Sequence, residues 1–419
     1  MTAEEYYCPG EKWPISRAVH LARLAAFDVA CRTCPRRFET GPTSILSLED
    51  LEQLQARAIR ASWVSETGIR GLFLNEIDRS VAIRWGDALG RLLPHRQRSP
   101  VRELKLVVAY DERPSSPEIV QSLGLGLRRQ GCQVIDLGPV TGPCFRFAVQ
   151  SLGANAGVYV TGGTAGPAWT GFDLVDEHAV PWSAATGLLE WEALSREEAD
   201  ASTAAQAGRL TTDSVQQAYE DHLSTAFHGL RPLQLVIGTT TAAQADLLRR
   251  LFASRPCHCH QIALPNRERA IDQPSHPDVV ALRQEILTHR ADAGILLTDD
   301  GQQFAVLDEA GRLRASADVG RLLAAEYLRQ FPERHVLMPR VWWEELPPFQ
   351  KHPHMRAAEA PPAELPHELL AQSAGLALGE DGRHFQDVEG LLIGDSLRTL
   401  GLFLQALSRS DTPLSELLS

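Results

Sequence analysis

From Lys105 onward the chain alternates between two hydrophobic periods. Leu106-Val-Val-Ala-Tyr110 is an unbroken apolar run, the pattern of a strand buried on both faces. It ends at the polar stretch Asp111-Glu-Arg-Pro-Ser-Ser-Pro117. Apolar residues then return at Ile119, Leu123 and Leu127, the i, i+4, i+8 spacing of one helix face. Ser116 is the expected N-cap, Pro117 the first helical residue and Gly131 the stop. Gln133-Val-Ile-Asp-Leu137 is the next strand. Strand, helix and strand within about 30 residues predict a parallel pair joined by a right-handed crossover.

The same alternation continues. A helix is expected over Pro143–Leu152, then a strand over Ala156–Thr161 and a Gly-rich loop. After Asp213 the pattern predicts an amphipathic helix, a strand at Leu233–Ile237, a helix through Leu247 and Leu251, and a strand around Cys257–Leu264. A helix over Asp278–His289 precedes the strands Ala293–Leu297 and Phe304–Leu307. A helix over Val319–Arg329, a strand at His335–Met338, a Pro-rich surface excursion over Pro347–Pro366 and a long apolar helix near Gly390–Leu407 complete the chain. Upstream, Ser47 and Asp50 have capping-box spacing, and Leu48, Leu51, Leu54 and Ala58 form a helical stripe. Successive β/α blocks of this kind predict several α/β domains rather than one large sheet.

Composition narrows the partners. The 53 acidic and 41 basic residues of the 419 give a net charge of −12, which repels nucleic acid and anionic membranes. Neither is expected as a partner. No run of about 20 apolar residues exists to cross a bilayer. The acidic N-terminus lacks the basic start and apolar centre of a signal peptide, so a cytoplasmic location is expected. Seven cysteines in a chain of this length do not read as a disulfide framework.

Four stretches in order resemble the α-D-phosphohexomutase superfamily, which includes phosphoglucomutases and phosphomannomutases. Thr67-Gly-Ile-Arg-Gly71 looks like the family's opening Ser-Gly-Leu/Ile-Arg-Gly. Val108-Ala-Tyr-Asp-Glu-Arg-Pro-Ser-Ser-Pro117 through Gly138 follows its first βαβ unit. Ala291-Asp-Ala-Gly294 through Glu309 has the spacing of its metal loop, and Gly379-Glu-Asp-Gly-Arg-His384 resembles its sugar loop Gly-Glu-x-Ser-Gly-His. The resemblance covers residues 63–419. It implies an α/β fold of three successive mixed domains of the phosphohexomutase type, at 46–205, 206–313 and 314–419, behind a short Cys-containing extension over 1–45. The fourth, phosphate-gripping domain of full-length relatives is expected to be absent, because Pro413-Leu-Ser-Glu-Leu417 looks like the end of the third.

The family moves a phosphoryl group between two hydroxyls of one sugar through a phosphoserine, with a divalent cation offsetting charge. Its serine loop, Thr-Ala-Ser-His-Asn-Pro, aligns with Thr161-Gly-Gly-Thr-Ala-Gly166, so the nucleophile position is Gly163, with no side-chain oxygen. Thr164 is the surrogate acceptor to weigh, although a one-residue shift moves an oxygen by about 3.8 Å, far beyond in-line tolerance. The loop's backbone N–H groups could still cradle an anion. A family lysine becomes Asp173. The metal loop, Asp-Gly-Asp-x-Asp-Arg, aligns with Thr298-Asp-Asp-Gly-Gln-Gln303, where only Asp300 keeps a carboxylate and Thr298 and Gln302 are neutral. Mg²⁺ is therefore not expected to bind.

By resemblance, Arg70 and Arg113 are phosphate-binding candidates and Glu380 and His384 sugar-binding candidates. Each arginine is equally a candidate for a fold-stabilising ion pair, and the Glu380–His384 loop for a solvated turn. These positions imply a mutase-like protein of carbohydrate metabolism without mutase chemistry, binding a hexose phosphate or acting as a scaffold. The alternative is an active intramolecular phosphotransferase using a relocated threonine.

Outside the resemblance, Cys8, His20, Cys31 and Cys34 are candidate ligands of a structural zinc ion, because Cys31-x-x-Cys34 has knuckle spacing. A protein partner through residues 1–45 would follow. The competing reading is two surface thiols and a buried Cys8. Cys257-His-Cys-His260 could be a metal clip, but strand alternation sends its cysteines and histidines to opposite faces, and an ordinary strand is expected.

Overall fold

Each apolar run forms a strand of one of three sheets, and each amphipathic stripe a helix laid against it. The computed structural model describes residues 6–9, 11–26, 28–37, 39, 62–66, 68–197, 204, 206–265, 271–347 and 351–418. The helix expected behind Ser47 and Asp50, through Leu48, Leu51, Leu54 and Ala58, lies outside the described residues, as does Thr67.

The N-terminal extension holds α1 (Arg17–Ala25) and a 3₁₀ turn at Val29–Thr33, and Arg32 in that turn pairs with Asp78, the N-cap of the helix beginning at Arg79; the first sheet follows. That sheet contains β1 (Val64–Ser65), β2 (Gly68–Leu72), β3 (Lys105–Tyr110), β4 (Gln133–Pro139), β5 (Ala156–Val160), β6 (Trp169–Asp176) and β7 (Leu210–Thr212), in the order β1-β2-β6-β5-β3-β4-β7. The expected parallel β3–β4 pair is present. Its helices are α2 (Arg79–Gln97), α3 (Ser116–Arg129), α4 (Gly142–Ser151) and α5 (Leu189–Arg196). Glycines let α2 and α3 touch: a Cβ at Gly86 would lie 2.2 Å from the Leu123 carbonyl.

The second sheet runs β11-β10-β8-β9, from β8 (Gln234–Thr239), β9 (His258–Ala263), β10 (Ala293–Leu297) and β11 (Phe304–Asp308), with α6 (Gln216–Ser224), α7 (Ala242–Phe252) and α8 (Pro277–His289). The third runs β13-β12-β14-β15-β16, from β12 (Val336–Pro339), β13 (Met355–Ala358), β14 (Leu376–Leu378), β15 (His384–Val388) and β16 (Leu391–Gly394). Its helices are α9 (Ser316–Gln330), α10 (Arg340–Glu345), α11 (Leu365–Ala371), α12 (Ser396–Leu407) and α13 (Leu414–Leu417). Among the described residues no helix is long and apolar enough to cross a membrane.

Four local expectations are corrected. Ser116 is the first helical residue rather than the N-cap, because its Oγ donates to Asp111 Oδ1 at 2.5 Å. β7 pairs with β4, so the first sheet extends past the expected 205/206 boundary. The Pro-rich stretch contributes β13, which extends the third sheet alongside β12. Residues 391–394 pair with β15 as a strand, and Asp395 caps the helix that follows, accepting from Leu397 N at 2.8 Å.

The sheets share one apolar core that takes Phe145 and Tyr159 from the first block, Ile237 and Ile295 from the second, and Leu400 and Phe403 from the third. Polar ties reinforce it. Tyr219 donates to Asp395 Oδ2 at 2.6 Å, and Glu112 accepts from the Ala242 and Ala243 amides at 3.0 and 2.7 Å.

Candidate functional site

The parallel pairing of Tyr110 with Val160 brings the loops after β3 and β5 out together, at the strand ends where α/β folds place their sites. Asp111 organises the meeting. Its Oδ1 accepts from Arg113 N at 3.1 Å and its Oδ2 pairs with Arg113 Nη1 at 2.5 Å. Arg113 Nη2 then donates to the carbonyls of Gly163 and Ala165, at 3.0 and 2.7 Å. This guanidinium buttresses the Gly-rich loop from beneath.

The loop spends its own amides internally. Gly162 N donates to Asp111 Oδ2 at 3.3 Å, Gly163 N to Thr161 Oγ1 at 2.9 Å, and Ala165 N to the Gly162 carbonyl at 3.3 Å. The expected anion cradle is therefore not formed by these three groups. Gly163 has φ +62°, and a Cβ built there would lie 3.0 Å from Arg70 Nη2 and 3.1 Å from its Nε. Thr164 beside it is exposed. The position aligned with the reactive serine is thus walled by a guanidinium.

Arg70 is held in turn. Its Nη2 pairs with Asp173 Oδ1 at 2.5 Å and its Nη1 donates to the Ile69 carbonyl at 2.8 Å. Asp173 stands on β6 where the resemblance places a lysine, so the reversed charge captures the arginine. Burial pushes the Asp173 carboxyl up; Arg70 and Arg146 oppose this and Asp300 adds to it. Both phosphate-binding candidates therefore stand in ion pairs within the chain.

Sequence reasoning missed Arg146. It lies on α4 between Phe145 and Phe147, 6% exposed, with Nη1 buried and making no hydrogen bond. Burial pushes its pKa down while Asp173, Asp300 and Asp395 pull it back up. Those three carboxylates come from three different sheet blocks, which no local motif records. An arginine in the middle of an apolar helix face was the available signal.

The aligned metal loop joins β10 to β11. Asp300 Oδ1 accepts from Thr298 Oγ1 at 2.7 Å and from Gln302 N at 3.1 Å, while Gln302 Nε2 reaches Oδ2 at 3.4 Å. The neutral residues at the two other ligand positions thus satisfy the carboxylate that remains. This donor set does not fit the family's Mg²⁺, which calls for converging carboxylates with free lone pairs. The loop is also clamped from outside: Ser396 Oγ donates to the Gly301 carbonyl at 2.8 Å, and Gln244 Nε2 to the Thr298 carbonyl at 2.7 Å.

In the aligned sugar loop, Glu380 is exposed and His384 is buried at 2% exposure. Burial pushes the His384 imidazole down to about 4, and its Nδ1 accepts from Gly379 N at 3.4 Å. Arg383, at the family's glycine position, folds back on Asp381 at 2.7 Å. Gln303 Nε2 donates to the Asp381 carbonyl at 2.8 Å, and Gln303 bridges Arg383 through the backbone. Two residues that depart from the family pattern, Gln303 and Arg383, thereby clip the metal and sugar loops together.

In the extension, Cys8, His20, Cys31 and Cys34 are all buried. Burial pushes the Cys31 thiol up, with Asp28, Cys8 and Cys34 adding to the rise. His20 stacks on Tyr6 with ring centroids 4.7 Å apart. Among the described residues, three metal-donor atoms fall within 4.8 Å of one another only at His260, Glu285 and His289. His258, Cys259 and His260 open the expected strand, β9, with Cys257 just before it, and this run makes no clip of its own.

Known proteins resemble this chain in sequence and in fold. Residues 63–194 match the family model "Phosphoglucomutase/phosphomannomutase, alpha/beta/alpha domain I". The chain is 28% identical over 290 residues to a phosphomannomutase of Vibrio cholerae, covering 66% of this chain and 62% of that one. It is 31% identical over 286 residues to a phosphohexose mutase of Xanthomonas campestris, covering 66% and 61%. The chain therefore spans under two thirds of the length of the curated relatives it matches. A crystal structure of a phosphoglucomutase/phosphomannomutase family protein from Burkholderia thailandensis superposes with a TM-score of 0.70 at 24% identity, covering 84% of this chain and 79% of that one. Fold, ordered motifs and relatives coincide, and the chain belongs to the α-D-phosphohexomutase superfamily.

Proposed function

We propose that this chain is a catalytically silent relative of phosphomannomutases and phosphoglucomutases, serving carbohydrate metabolism as a scaffold or hexose-phosphate-binding protein. One observation carries the reading. At the acceptor position stands Gly163, and the space a side chain would enter is taken by Arg70, itself paired with Asp173. Phosphoryl transfer needs an oxygen nucleophile there and unspent positive charge around it. The arginines on this floor are matched by Asp111, Asp173, Asp300 and Asp395. Holding phosphate at Arg70 or Arg113 means breaking a buried ion pair, which favours scaffolding over tight ligand binding. Glu380 keeps an exposed carboxylate that can accept bonds from sugar hydroxyls.

Incubation with ³²P-labelled glucose 1,6-bisphosphate is the test. No stable label on the protein, and no interconversion of glucose 1-phosphate and glucose 6-phosphate with added Mg²⁺, are expected. Labelling lost in Thr164→Ala would overturn the proposal in favour of a relocated acceptor.

A second reading concerns the extension, and burial of all four candidate donors favours it. In this reading a structural zinc ion draws Cys8, His20, Cys31 and Cys34 together, and residues 1–45 are presented to a protein partner. In the metal-free arrangement no three of their donor atoms lie within 4.8 Å of one another. Elemental analysis of the purified chain, compared with a Cys31→Ser/Cys34→Ser variant, tests it: equal zinc in both would sink it.

A further inference from the structure

β9 is the outer strand of the second sheet and, among the described residues, pairs only with β8. Its alternation sends Cys257 and Cys259 into the core beneath α7, where burial pushes the Cys259 thiol up to about 12. His260 therefore projects on the opposite face, which α8 covers. On α8, Glu285 and His289 are one turn apart and share a helix face.

The three side chains meet at one point. Glu285 Oε2 lies 3.4 Å from His260 Nε2 and 3.3 Å from His289 Nε2. The two imidazoles lie with centroids 4.0 Å apart, and all three donor atoms fall within 4.8 Å of one another. A charge-assisted hydrogen bond from a histidine to a carboxylate closes to about 2.7–2.9 Å. Donors bound at about 2.0–2.1 Å to a tetrahedral ion stand roughly 3.3–3.4 Å apart. Both measured separations fall at the second spacing. The third edge closes by rotation of imidazoles that are 42% and 43% exposed. The site sits on the last turn of α8, where a cation is favoured by the unpaired carbonyls of the helix end.

We propose that His260, Glu285 and His289 form a binding site for a borderline divalent metal ion of the zinc class. Two imidazoles and one carboxylate select Zn²⁺, Ni²⁺ or Cu²⁺ over Mg²⁺ or Ca²⁺, and leave at least one position open to water. A bound ion ties the sheet's outer strand to α8. None of the three residues belongs to the serine, metal or sugar loop, and the site does not depend on their chemistry.

Titration calorimetry of the chelator-stripped full chain with ZnCl₂ at pH 7.5 tests the proposal, alongside His260→Ala, Glu285→Gln, His289→Ala and, as a remote control, His178→Ala. The wild type and His178→Ala are expected to bind Zn²⁺ at this site and to melt several degrees higher with it, while MgCl₂ has no such effect. Each ligand variant is expected to bind more than about 100-fold more weakly. All three ligands are partly exposed, so unchanged far-ultraviolet dichroism and metal-free melting will show that the variants fold. A Cys31→Ser/Cys34→Ser variant separates this site from the extension and should retain it. Zinc uptake and stabilisation that survive when His289→Ala or Glu285→Gln is added to the Cys31→Ser/Cys34→Ser variant, or no zinc uptake by that variant itself, would overturn the assignment.

Discussion

The floor beneath Gly163 and the outer edge of the second sheet both gather charged and metal-binding side chains, and they treat them in opposite ways. On the floor, Arg70, Arg113 and Arg146 are buried, and carboxylates from all three sheet blocks surround them. At the edge, His260, Glu285 and His289 are partly exposed and bring their donor atoms within 4.8 Å of one another. Burial forces charge to be matched within the protein, because an unpaired ion in the interior costs several kcal/mol. Exposure removes that demand and leaves donors for an outside ion. A charged cluster thus reads as structure or as site according to whether its partners are already inside the chain.

The sharpest way to break this comparison is to remove one partner from the floor. Asp173→Leu strands Arg70 and takes a neighbouring charge from Arg146, and should cost about 3–5 kcal/mol in urea unfolding. Adding Arg70→Met should make the protein more stable than Asp173→Leu alone, since the stranded charge is then gone. A double variant no better than the single would mean that Asp173 acts through packing and not through the pair.

Next in size is an effect of acid on the sugar loop. His384 is buried and its imidazole is pushed down to about 4 from 6.5. Below pH 6.5 the unfolded chain takes a proton that the folded chain refuses until about pH 4. The stability contributed by the neutral ring is therefore complete above the unfolded value and is lost as pH falls through this window. The loss is about 2 kcal/mol between pH 7 and pH 5 from this group. His222, pushed down to about 4 by burial and by Arg398, adds to the loss with the same sign. His384→Leu should flatten the acid limb of the stability profile; parallel profiles would show that the ring titrates alike in the folded and unfolded chain.

Gly163→Ser restores an oxygen in name and is expected to fail chemically. The left-handed backbone costs a serine about 1–2 kcal/mol, and its Cβ crowds Arg70. Unfolding in urea should show that loss, with no phosphate label taken up from glucose 1,6-bisphosphate. Labelling of the variant would show that the floor remains open enough to work.

How much of this was legible in the chain follows the same division. β3, α3 and β4 could be read directly, because a doubly buried strand and an amphipathic helix leave different periods. β16 could not: residues 391–394 are as apolar as the helix after them, and only pairing with β15 makes them a strand. Gly163 and Asp300 were found because a motif marks their place. Arg146 was missed because its neighbours arrive from separate blocks through tertiary packing. His260 was correctly set on a strand, yet its companions lie on a helix further along the chain. Glu285 and His289, four apart on one helix face, were a signal that needed the strand beside them to acquire meaning.

The smallest expected effect sharpens the comparison from the other side. If the edge cluster is built to receive an ion and not to hold the fold, removing a donor in the absence of metal should barely matter. Glu285→Gln in chelator should change unfolding free energy by no more than about 0.5 kcal/mol, the range of ordinary surface substitutions. The carboxylate is 38% exposed and sits between two imidazoles rather than against a permanent cation. Its pairing energy at neutral pH is then that of a solvated surface contact. A loss of several kcal/mol would mean that the edge depends on its own charge as the floor does, and the two regions would no longer differ in kind.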